Sequence, residues 1–156
     1  MTPVPERRRS KILLYATAVA AIAGLVLSVL SYVAAFRNGP GPLGDHAWIL
    51  HFGALAVLIP AVLAARRLQA GCDRNQRWNA VLRGCPVWMK YALYLVLGYA
   101  MVNFTVFLFA PSKTPAAAVR GFAGHWMACY AAALTILYSD VKVSRSLTTQ
   151  PLDHPL

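Results

Sequence analysis

Apolar positions run along this chain in four long blocks, at 11–36, 46–65, 87–110 and 116–138, and the polar residues gather between and beyond them. Each block is near or above the ~20 residues that cross a hydrocarbon core about 30 Å thick. The pattern therefore predicts an all-α, polytopic membrane protein, folded as a single four-transmembrane-helix bundle. The breaks are built from turn formers. Asn38-Gly39-Pro40-Gly41-Pro42 cannot continue a helix, because proline removes a donor and glycine loosens helical order. Asp45 is then expected to cap the second span. Before the fourth, Thr114 is placed as N-cap and Pro115 at the first helical position, which makes spans three and four a tight hairpin.

Within three of the blocks small residues recur at intervals of 4, 3, 4, 3 and 4. They are Thr17, Ala21, Gly24, Ser28, Ser31 and Ala35 in the first and Ala117, Gly121, Gly124, Ala128, Ala131 and Thr135 in the fourth, with Ala47, His51, Ala54, Leu58, Ala61 and Ala65 in the second. Helices in lipid gain nothing by hiding leucine, so they associate through such stripes. Gly24, Ser28, Ala54, Gly121, Gly124 and Ala128 are the candidate packing positions. A repeat near 3.5 residues implies a left-handed crossing of about 20°. Pro60 is a candidate kink in span two.

Charge adds orientation. Of fifteen Lys and Arg, twelve lie before span one, in the 66–86 loop or just beyond it, and after span four; only Arg37, Lys113 and Arg120 lie at the other end. By the positive-inside rule both termini are expected in the cytoplasm of a bacterial-type inner membrane. A net charge of +10 would suit a nucleic-acid surface, but this distribution is an orientation signal and no nucleic-acid partner is expected. The apolar run after Arg7-Arg8-Arg9 is too long for a cleaved signal peptide and reads as a signal anchor. Within the 66–86 loop, Trp78, Val81 and Leu82 sit at helical spacing among arginines. That spacing fits either a short helix lying on the inner leaflet or an unstructured loop. The 144–156 tail is polar and expected to be flexible.

Chemistry is sparse. Cys72 and Cys85 lack the paired spacing and companion histidines of a zinc site, so no metal is expected, and Cys129 reads as a packing residue. No Asp or Glu falls inside a span, which excludes catalysis by paired carboxylates there, and no nucleophile-elbow, zincin or phosphate-loop motif occurs. Four polar residues instead reach one level of the half-membrane away from the termini. By helical rise His51 lies about 8 Å deep, Asn103 about 10 Å, Ser28 about 12 Å and His125 about 14 Å. Buried polar groups in a membrane are costly and mark candidate function. Two imidazoles could ligate a b-type haem, with Asn103 and Arg120 nearby and Arg120 pairing a propionate, or serve a quinone-linked electron transfer. Against haem stands the ~6 Å difference in depth between the histidines. The plainer reading is a hydrogen-bonded layer that holds the helices in register. Helical-wheel angles turn Trp126 toward lipid and put His125 on a flank. The function expected first is a non-enzymatic interaction or assembly subunit, homo-oligomeric or bound to another membrane protein; haem or quinone redox, and small-solute or proton transport by an oligomer, are the alternatives.

Overall fold

The computed structural model describes residues 4–37, 39, 41–109 and 114–148. It is helical, with no strand among the described residues. The helices are α1 (Val4–Phe36), α2 (Ile49–Leu68), α3 (Arg77–Val81), α4 (Val87–Phe109) and α5 (Pro115–Thr148), with single 3-10 turns at Gly44–His46 and Arg74–Gln76. Three stretches are long and apolar enough to cross a membrane, Ile12–Phe36, Gly44–Leu68 and Val87–Phe109. The fourth expected span is a helix, α5, but not one of these. His125, Gly121, Gly124 and the polar-edged rings of Trp126 and Tyr130 dilute its apolarity.

The reason lies in the packing. α5 lies against α1, α2 and α4, α1 and α2 also pack on each other, and α4 rests on α5. Enclosed in this way, α5 has little need of a lipid-compatible surface. Its 34 residues extend about 50 Å. It continues through 144–148, where a flexible tail was expected; the rest of that expectation, 149–156, falls outside the described residues, as does the 110–113 turn.

Every member of the α1 stripe is buried, and all but half-buried Ala131 of the α5 stripe. The α2 stripe keeps its spacing but is rotated: Leu50, Ala54, Val57, Ala61, Ala64 and Leu68 face inward, leaving His51 at the edge. At the centre Tyr130 fills a socket. Its hydroxyl donates to the Leu50 carbonyl at 3.0 Å, and a Cβ on Gly24 of α1 or Gly53 of α2 would run into its ring or hydroxyl. Helix caps agree in part with expectation. Thr114 Oγ1 accepts the Ala117 N–H at 3.2 Å and Pro115 opens α5. Asp45 does not cap α2: the chain makes a 3-10 turn there, and α2 starts behind Trp48 with no side-chain cap. α2 runs unbroken through Pro60.

The loop between α2 and α4 is folded onto the protein. Val81 and Leu82 are each 1% exposed, packed with Cys85 and Leu93 against Ala65, Met89 and Ile136. The Gly84 N–H donates to Ser139 Oγ at 3.0 Å and the Cys85 thiol to the Thr135 carbonyl at 3.3 Å. Trp78 stays at the surface, its indole N–H donating to the Tyr94 hydroxyl at 3.0 Å. Of the three, Val81 and Leu82 form the docking face. Burial pushes the Cys85 thiol pKa up, against the opposing Ser139 hydrogen bond and Lys90 charge.

Candidate functional site

The polar layer forms in the half of the bundle away from the termini. α2 and α5 run parallel, so His51, in the first turn of α2, reaches His125 and Trp126 on α5. Trp126 is 3% exposed and donates its indole N–H to His51 Nδ1 at 2.7 Å, which corrects its expected lipid-facing position. An indole can only donate, so Nδ1 must be the acceptor; neutral His51 therefore carries its proton on Nε2. The two histidines come together as neighbours, with ring centroids 6.2 Å apart and planes tilted 32°. His125 is exposed although Gly124 and Trp126 on either side are buried, and its Nε2 stands 3.7 Å from Cys129 Sγ.

Asn103 and Arg120 meet, but through the backbone. Asn103 Nδ2 donates to the carbonyls of Arg120 at 2.7 Å and Gly121 at 3.2 Å, stapling α4 to α5. Gly121 and Gly124 permit this, since a Cβ at 121 would overlap Phe107 and one at 124 would crowd Asn103 Nδ2 at 3.0 Å. Phe122 lies between the two halves of the layer, 5.3 Å from the His51 ring and 5.5 Å from Phe107. Ser28 takes no part, because its hydroxyl donates to the Gly24 carbonyl within α1 at 2.7 Å.

Phe122 and Trp126 thus occupy two flanks of His51, each with ring centroids 5.3 Å away. What the arrangement offers as it stands is a half-buried Nε2–H donor on His51 beside an outward-facing imidazole on His125. Among the described residues no group of three or more His, Cys, Asp or Glu could hold a metal ion.

A second polar cluster, at the end near the termini, was missed from sequence. Asp140 is 7% exposed, with Arg67 Nη1 at 4.0 Å from its Oδ2. Burial pushes the Asp140 carboxyl above the usual carboxylate range, and the exposed Arg67 charge only partly offsets this. Its signal was present in the spacing of Thr135 and Ser139, polar residues one turn apart that face the loop. Comparison with protein-family models, curated proteins and solved structures finds no match to this chain.

Proposed function

We propose that the chain is a four-span inner-membrane subunit, both termini cytoplasmic, that recognises another membrane protein or a second copy of itself through the surface around His125. α5 lies along three apolar helices and so shares their slab, which supports counting it as the fourth span. The twelve cations at one end and three at the other support the orientation. Exposed Trp78, Trp88 and Tyr91 near the basic end fit an interfacial aromatic belt. The observation that carries the partner is His125 itself. It stands about 15 Å along α5, exposed where Gly121, Ala123, Gly124, Trp126 and Ala128 around it are all buried. An imidazole facing hydrocarbon is costly, and a polar group on a partner helix would relieve it. The small-residue stripes do not serve this purpose, being consumed within the chain. A photo-crosslinking residue at position 125 should capture a discrete partner in cells, whereas one at lipid-facing Leu95 should not. Absence of any adduct at 125, together with a strictly monomeric protein in detergent and lipid, would overturn the proposal.

The 6.2 Å approach of His51 and His125 favours a second reading, an electron-transfer site. A dithionite-reduced absorption spectrum decides its haem form. Colour abolished by His51→Ala or His125→Ala but kept in His46→Ala supports it; colourless protein from haem-replete cells dismisses it.

A further inference from the structure

A cavity of about 610 Å³ opens at the end of the bundle away from the termini, between the last turns of α1, the chain leading into α2 and the first turns of α5. Its walls are mostly small residues, Ala35, Gly41 and Ala118 among them, so side chains do not fill the space where the three elements splay. Its polar lining is Ser31, Asp45 and Thr114.

Ser31 is the anomaly. It is 1% exposed and its hydroxyl has no hydrogen-bond partner, the one buried side-chain oxygen or nitrogen so placed among the described residues. Thr17 and Ser28, on the same helix, both donate to the carbonyl four residues back. Ser31 instead lines the cavity beneath Gly41, where a Cβ would come to 3.6 Å from its Oγ. A buried hydroxyl left unpaired in a roomy, partly polar recess points to something that binds there.

We propose that this cavity is a binding site for a primary ammonium group. Among the described residues of the lining Asp45 alone is charged, and its negative carboxylate favours a cation. Ser31 and Thr114 add hydroxyl oxygens, which accept N–H donors and suit an ammonium carrying three protons. Among the described residues the lining has no aromatic ring to form a cage for a quaternary ammonium. The same chemistry is offered by a small free amine and by the head group of an aminophospholipid.

The test uses the full-length protein in detergent. Ethanolamine should raise the thermal midpoint saturably, whereas choline and ethanol should not. Asp45→Asn, an exposed change outside the core, should weaken the response at least tenfold. Gly41→Ala adds a methyl over Ser31 at ordinary contact distance and should weaken it severalfold while leaving the unliganded midpoint unchanged. His125→Ala should respond as the natural protein does, which separates this site from the partner surface. In nanodiscs, stabilisation by phosphatidylethanolamine over phosphatidylcholine identifies the lipid source; its absence alongside an ethanolamine response identifies a free amine. No response to either, or an undiminished one in Asp45→Asn, overturns the proposal and leaves a water-filled recess.

Discussion

α4 and α5 are neighbours with opposite characters. α4 is apolar enough to cross a membrane, yet only Leu93 and Ala100 are buried along its length. α5 is less apolar, yet it touches every other long helix and holds the largest buried rings, Trp126 and Tyr130. In water the more apolar helix would be the core. In lipid apolarity is what the outside requires, and the core is chosen by shape: glycine, alanine and rings whose polar edges find partners. Hydropathy therefore ranks these two helices by exposure, in inverse order of structural importance.

The sharpest way to break that contrast is to truncate one large side chain on each helix. Tyr130→Ala empties the central socket and removes the hydroxyl's bond to the Leu50 carbonyl, and should cost about 3–5 kcal/mol. Leu95→Ala, at a position 74% exposed, should stay within about 0.5 kcal/mol. Reversible unfolding in mixed micelles compares them; equal losses would refute the assignment of α5 as the hub. Adding a methyl makes the complementary pair. Gly24→Ala drives a Cβ into the Tyr130 ring and should cost about 1–3 kcal/mol, whereas Gly98→Ala meets nothing and should be neutral or gain up to about 1 kcal/mol.

Asn103→Ala removes the staple between the two helices. Such bonds in membranes are worth about 0.6 kcal/mol and seldom more than about 1.7, so a modest loss is expected, with looser α4 visible as faster amide exchange near Gly121. The smallest effect concerns pH. A carboxyl whose folded pKa is raised holds its proton more readily when folded. The Asp140 contribution therefore favours the fold at acid pH and is lost as pH rises from the ordinary carboxylate range through the raised value. Subtracting the Asp140→Asn melting profile from that of the natural protein should leave a difference declining toward neutral pH, and a difference rising with pH would contradict the burial described.

What could be read from residues alone was whatever depends on one helix at a time. The positions of the helices, the Thr114 cap and the complete α1 stripe at 17, 21, 24, 28, 31 and 35 all follow from local chemistry and periodicity. What escaped depends on how many neighbours a helix has. A wheel centred on the α5 small-residue stripe puts Trp126 on the far side, and far means lipid only if nothing covers it; α2 covers it. The same ignorance of neighbours misplaced the α2 stripe by enough to turn His51 from a stripe member into an edge residue. It also left the 78–82 segment open between a helix on the leaflet and an unstructured loop, when α4 and α5 hold Val81 and Leu82. Asn103 was noticed as polar, but its partner was a backbone carbonyl, which no residue pattern announces.

Because the hub follows its three partners in the chain, assembly must run against the order of synthesis. α1, α2 and α4 enter the bilayer while the helix that unites them is still being translated, and of the three only α1 and α2 have an extensive contact to make in the interval. Before α5 arrives α4 has only small contacts, such as Leu93 with Val81 and Leu82, and its oily surface equips it to wait in lipid. The closing event is then the arrival of α5, and with it the Tyr130 ring, between segments already in place. A nascent chain stalled before that point would hold three inserted helices and no bundle, a state open to membrane proteases and to chaperones that recognise unclaimed glycine faces.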